Sequence, residues 1–241
     1  MSKSIRKLII FTIPLLVAGF VVSVLYKWNY IQHTQHIPDE FNIPYLSSGA
    51  DHNKNRIDDA KEILQGAKDY MGGNPKYETL REYSDGLPSG NRGSNGDVVV
   101  HALSNAGYDL KSYINQDIEK NPTVYEGVTA GKNLAFRDPA TQAIFFSRYA
   151  DAHSLDINDK NEWQAGDIIF FEKKHCAIVA DKVNENGVRF IIHHFWEYQG
   201  GWFQDVLETG AWGKVIGHYR INERIVSPKT DFNSIKNRVQ E

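Results

Sequence analysis

"WQAGDIIFFEKKHCAIVADKVNENGVRFIIHHFW", residues 163–196, decides the fold. "WQAGDIIFFE", "HCAIVADKV" and "VRFIIHHFW" are rich in β-branched and aromatic residues, which suit a pleated, half-buried surface. "KK" separates the first two and "NENG" the last two; Asn-Gly between apolar runs is a hairpin signal. Short turns of this kind join antiparallel neighbours, so the stretch reads as a meander. "KVIGHYRI", residues 214–221, reads as a final strand.

Upstream the texture is helical. In "DHNKNRIDDAKEILQGAKDYM", residues 51–71, Ile57, Ala60, Ile63, Leu64, Ala67 and Tyr70 or Met71 recur at helical spacing, and Gly72 and Gly73 stop the run. Residues 97–106 predict a second helix with Val99, Ala102, Leu103 and Ala106 on one face and Gly107 at its end. "SYINQDIEKNP" and "PATQAIFFSRYADA" predict two more. Helices first and an antiparallel β-meander after them is an α+β order.

The N-terminus sets the compartment. Leu8–Tyr26, "LIIFTIPLLVAGFVVSVLY", is apolar apart from single Thr and Ser hydroxyls. At about 1.5 Å per residue it comes close to a hydrocarbon layer of about 30 Å. Lys3, Arg6 and Lys7 precede it and only Lys27 follows closely, which predicts a cytoplasmic N-terminus and an extracytoplasmic remainder. The rival reading is a cleaved signal peptide, but "YKWNY" offers no small-residue cleavage site, and Trp28 and Tyr30 suit an interfacial belt. The division expected is residues 1–27 as cytoplasmic end and single-pass transmembrane anchor, 28–48 as a tether, 49–225 as the folded domain and 226–241 as a polar tail.

The chain has 241 residues, 27 Lys and Arg against 30 Asp and Glu, and a net charge of −3, which gives no electrostatic case for nucleic acid. Its one cysteine, Cys176, forms no internal disulfide and reads as a small core residue.

"SGNRGSNGDVVVHALSNAGYDL", residues 89–110, is a glycine-rich turn opening into a helix. Helix-then-meander is the chain order of papain-like hydrolases, where a thiolate at a helix N-terminus is stabilised by free N–H groups and the helix dipole. A strand histidine then serves as base and a third polar group orients it. The base candidate is His175. The orienting candidates are His193 and His194; neighbouring strand residues face opposite ways, so one of the two can serve. The turn itself holds Ser94, Asn95 and Gly96.

From about Asp51 to Ile221 the chain resembles the bacterial family known as domain of unknown function 1287, related to NlpC-type papain-like cell-wall peptidases. The resemblance rests on "NRIDDAKEILQGAK", "RGSNGDVVVHALSNAGYDL", "WQAGDIIFFEKKHCAIVADK", "FIIHH" and "IGHYRI". It implies a papain-like (NlpC-type) domain on the bacterial cytoplasmic membrane. The family turn runs glycine, any residue, cysteine, threonine, aspartate. Gly93 and Asp97 match it, the cysteine falls on Asn95 and the threonine on Gly96. The base histidine falls on His175, and a histidine–asparagine pair falls on His193 and His194, with the asparagine replaced.

A carboxamide has a delocalised nitrogen lone pair and no acidic proton, so the expectation is a noncatalytic module that binds a peptidoglycan peptide or an envelope protein partner. Ser94 and Asp97 explain the turn as a capping box. The alternatives are an active peptidase or amidase using Ser94 or Cys176, and a structural envelope module with a filled cleft. Trp196, Tyr198, Trp202 and Phe203 follow the histidine-bearing strand and either line a groove or fill it; Tyr83, Asp97, Trp196 and Trp202 form the candidate binding set.

"DHNKNRIDDAKE", residues 51–62, places Asp51, Asn53, Asn55, Asp59 and Glu62 at positions 1, 3, 5, 9 and 12 of an EF-hand-like loop, with the Ile57 carbonyl at position 7. Calcium is the candidate cofactor. Arg56 stands where glycine is wanted and no helix enters the loop; an Asx-rich helix N-cap is the competing reading.

Overall fold

Lys3–Lys27 forms one helix, α1, with Pro14 inside it. Its Ile9–Tyr26 stretch has a mean hydropathy of 2.5 and none of it is buried inside the chain. Its 25 residues at about 1.5 Å each make it about 38 Å long, enough by length and composition to cross a membrane, a measure that a signal sequence also meets. The structure, a computed structural model, describes residues 3–27, 30–31, 33–127, 133–195 and 203–222. The tail expected at 226–241, the domain end at 223–225, and Trp196, Tyr198 and Trp202 lie outside the described residues.

The folded part is α+β. Helix α2, Asp59–Gly72, begins where Asp58 accepts the Ala60 N–H at 2.9 Å. The sequence run 51–71 is thus half loop: Ile57 precedes the helix and is 47% exposed, because the Asx side chains of 51–58 bind backbone and stop the helix from starting earlier. Short strands β1, Lys76–Tyr77, and β2, Arg92–Gly93, pair in parallel and lead into α3, Asn95–Asn105. Helices α4, Leu110–Lys120, and α5, Pro139–Tyr149, each start on an aspartate cap, Asp109 and Asp138.

Strands β3 (Asp151–Ala152), β4 (Ile168–Phe171), β5 (His175–Val183), β6 (Arg189–Ile192), β7 (Phe203–Gln204) and β8 (Val215–Arg220) make one sheet, in the order β3-β8-β4-β5-β6-β7 with every pair antiparallel. The Lys173–Lys174 turn between β4 and β5 takes Lys174 to φ 52, and Gly187, at φ 75, closes the β5–β6 hairpin.

Alternation along the strands gives the sheet two buried faces. Ile168, Phe170, Cys176, Ile178 and Ile192 pack on Ile63, Ala67, Val99, Leu103 and Phe146 of the helices. Ile169, Ala177, Val179 and Ile191 pack on Trp163, Val188 and Leu207. Helix α3 is central: it packs on both α2 and β5, which brings the turn at Ser94 to the first residue of β5. Beneath the sheet edge, Asp167 binds Arg220 twice, at 2.7 and 2.8 Å, and His218 at 2.8 Å, with no exposure of its own side chain.

The segment expected as a tether does not hang free. His36 and Val183 exchange both backbone bonds at 2.9 and 3.1 Å, Ile43 is buried, and Gln164 bonds to Leu46 N–H and the Pro44 carbonyl. Its apolar residues and backbone groups find partners on the domain, so residues 33–48 form a strap along it.

Candidate functional site

The turn is held from below. Asp97, fully buried, accepts Arg137 Nε at 2.5 Å and Nη2 at 2.8 Å, the Ser94 N–H at 2.6 Å and the Ser94 hydroxyl at 2.9 Å. This is the expected capping box, with an arginine added from 40 residues away. Arg137 is 1% exposed and also donates to the Arg81 carbonyl. Tyr83 lies under its guanidinium, 5.2 Å from ring centre to Cζ, and hydrogen-bonds Glu78 and Arg81. Asp97 and Tyr83 are both in the candidate ligand-binding set. Asp97 has both oxygens committed inside the protein, so its work is to position the turn.

Gly96 is clamped. A Cβ there would sit 1.8 Å from the Arg137 carbonyl oxygen, and Gln142 donates to the Gly96 carbonyl at 3.0 Å. The helix end is therefore fixed to the 135–142 region through backbone atoms on both sides of this residue.

On this base stands a chain of hydrogen bonds. Asn95 Nδ2 donates to the Lys174 carbonyl at 3.2 Å and to His175 Nδ1 at 2.9 Å, while Asn95 Oδ1 accepts the Gly96 N–H at 2.8 Å. A carbonyl only accepts and an N–H only donates, so these partners fix which end of the amide faces the histidine. His175 Nδ1 is then an acceptor, and its proton is on Nε2, which donates to His193 Nδ1 at 2.7 Å. By the same logic His193 Nε2 donates to Gln204 Oε1 at 2.8 Å. Each bond in the series Asn95–His175–His193–Gln204 carries one proton, and both imidazoles are neutral.

Burial favours that state. His175 is 2% exposed and His193 1%. Burial, with His193 and His194 adding to it, holds His175 well below the usual histidine range. Burial brings His193 down to about 4, against the pull of its bond to Gln204. The Trp212 ring stacks on His175 at 4.0 Å and 15°, and Phe195 stands edge-on to Trp212 at 4.1 Å. Asn95 is partly exposed, so a ligand in solution meets this end of the series first.

Of the paired histidines, His193 joins the series. His194 lies on the other face of the strand end, edge-on to Tyr77 at 5.4 Å and Tyr70 at 6.3 Å. Cys176 follows His175 and so faces the helix-side core, where burial pushes its thiol up; its Sγ lies 3.6 Å from Gln142 Oε1. The Ser94 hydroxyl donates to Asp97. Gln204, Trp212 and Arg137 carry no local signal in the sequence: each acts through a contact between distant segments. Trp196 and Trp202, of the candidate binding set, lie outside the described residues.

The 51–62 loop is ordered by its own side chains. Asp51 accepts the N–H groups of Asn55 and Arg56 at 2.9 and 3.0 Å, and Asn55 Oδ1 accepts that of Ile57 at 2.8 Å. Lys54 and Arg56 take φ of 60 and 70. Glu62 accepts from the amides of Asn53 and Asn55, so those amides present nitrogen to it. Asp59 is fully buried and accepts the His52 N–H and the Tyr108 hydroxyl. Among the described residues no group of three or more His, Cys, Asp or Glu side chains is placed to hold a metal ion.

Comparison with known proteins adds three findings. Residues 57–221 match the family described as "Domain of unknown function (DUF1287)". "Uncharacterized protein YijF" of Escherichia coli (strain K12) is 28% identical over 170 residues, which is 66% of this chain and 80% of that protein. No solved structure matches the chain.

Proposed function

We propose that this chain, which belongs to the family described as "Domain of unknown function (DUF1287)", is a membrane-anchored, extracytoplasmic, papain-like domain that binds a cell-envelope ligand and does not cleave it. The observation that carries the reading is the orientation of Asn95. A general base must receive a proton from its nucleophile. His175 Nδ1 faces an amide N–H whose nitrogen is delocalised and which is pinned by the Lys174 carbonyl. The amide reproduces the hydrogen bond a thiol would donate and lacks its chemistry. The two substitutes, Ser94 and Cys176, are engaged with Asp97 and Gln142. By resemblance the ligand is a peptidoglycan peptide or an envelope protein, and it meets the partly exposed Asn95 beside Trp212.

Asn95→Cys tests site and side of the membrane together. At a helix N-terminus a thiolate gains about 0.3–1 kcal/mol, and His175, once it takes the thiol's proton at Nδ1, pairs with the thiolate as an imidazolium. A membrane-impermeant maleimide should label Asn95→Cys in intact spheroplasts, faster than an ordinary exposed cysteine, and should leave the wild type unlabelled at the buried Cys176. Labelling only after lysis would place the domain inside. The wild-type chain should leave cell-wall peptides intact; hydrolysis that survives Asn95→Ala and is lost with Ser94→Ala or Cys176→Ala would assign an active hydrolase instead.

A further inference from the structure

His33 joins the end of the apolar helix to the domain. Its Nε2 lies 2.7 Å from the Tyr26 carbonyl oxygen and its Nδ1 2.7 Å from Asp205 Oδ2. The two rings of Tyr26 and His33 stack at 3.9 Å and 17°. The side chains of His33 and Asp205 are each 9% exposed. On its far side Asp205 accepts Asn184 Nδ2 at 2.9 Å, which ties the contact to the β5–β6 hairpin.

The proton count of this contact is fixed by its geometry. A backbone carbonyl only accepts, so Nε2 carries a proton. Between Nδ1 and the carboxylate there must be a second, or two lone pairs would face each other at hydrogen-bond distance. Three titratable atoms therefore share two protons. Neutral histidine and ionised aspartate, the forms present in neutral water, hold one between them.

We infer that His33 and Asp205 form a proton-dependent latch, closed by uptake of one proton, that fixes the domain to its apolar helix and releases it as pH rises. The acidic groups around it favour the closed form. Glu185 and Glu208 line the same cavity, of about 230 Å3, as Tyr26, His33 and Asp205. Burial raises the Asp205 carboxyl, against the opposing bonds from His33 and Asn184. Among the described residues of the strap, the neighbouring ionisable pair is His36 with Glu40, bonded to each other at 2.8 Å.

The sign follows from linkage. The closed contact holds one proton more than neutral histidine and ionised aspartate do in water, so closure takes up a proton and weakens as pH rises.

Hydrogen exchange of the full chain in detergent micelles tests this. The reporters are the amides of Tyr30, bonded to Leu25, and His36, bonded to Val183. After correction for intrinsic exchange, their protection should fall as pH rises from mild acid to about pH 8.5. Asp205→Asn keeps the shape, still accepts from Asn184, and offers its own N–H to a neutral His33. It should stay protected across that range. His33→Gln should lose the protection at every pH. Flat protection in the wild type, or loss of protection in Asp205→Asn at every pH, would overturn the latch.

Discussion

Asp97→Asn should unfasten the turn that carries Asn95. The change is nearly isosteric, so its effect is electrostatic. Arg137 is 1% exposed and Asp97 is fully buried. Removing one charge leaves a guanidinium buried and unpaired, which costs about 3–5 kcal/mol, and one capping-box acceptor is weakened as well, about 1 kcal/mol. The amide introduced by Asp97→Asn also turns either its N–H groups toward Arg137 or its oxygen away from Ser94. The sum, about 4–6 kcal/mol, is a large part of the roughly 5–15 kcal/mol by which domains are stable. For a domain of this size it lowers the melting temperature by about 8–24 °C. Urea and thermal unfolding of the full chain in detergent, followed by circular dichroism, measure it. A second variant, Arg137→Met, leaves the carboxylate unpaired and should cost a similar amount. The double variant Asp97→Asn/Arg137→Met should cost well under the sum of the two, because no charge is then stranded. A loss below about 1 kcal/mol in Asp97→Asn, or strict additivity in the double variant, would refute the reasoning.

Acid should destabilise the fold through the buried histidines. His193 titrates at about 4 in the folded chain and near 6.5 when unfolded, so in that window the unfolded state binds more protons and stability drops as pH falls, by on the order of 3 kcal/mol; His193→Gln should remove that share of the difference between unfolding at about pH 7 and about pH 4.5, and an unchanged difference would show that His193 is not the titrating group. If the 51–62 loop binds calcium, as its ligand spacing predicts, a dissociation constant of about 1 mM would let calcium at about 10 mM stabilise by about 1.4 kcal/mol and raise melting by about 3–6 °C. Asp51→Ala should abolish the rise, and a flat wild-type response would leave only the helix-capping role of the loop.

The parts of the fold legible in sequence are those written in local periodicity. The α3 face of Val99, Ala102 and Leu103 is buried as the spacing requires, and the "KK" and "NENG" turns separate strands β4, β5 and β6. Strand alternation also limits the site to one of His193 and His194. Which one it is depends on the β5–β6 register, Ile178 opposite Ile192, and on the contacts that follow, and register has no signature in composition. Arg137 under Asp97, Gln204 behind His193 and Trp212 over His175 are illegible for the same reason. Each is one ordinary residue made specific by a partner 40, 11 or 37 positions away. The helix starts at Asp59, later than its periodicity suggests, because the 51–58 side chains satisfy backbone N–H groups that a longer helix would have used.

Strand β5 has a mechanical consequence. Its first residue, His175, touches Asn95, and its last, Val183, is bonded to the strap at His36. The eight steps between them, at about 3.3 Å each, make a strut of about 26 Å, clamped along its length by β4 and β6. Tension applied to the apolar helix α1 enters the domain at one end of this strut and is delivered at the other, where the imidazole sits. A load that slid β5 by one residue would turn His175 to the opposite face of the sheet and withdraw it from Asn95.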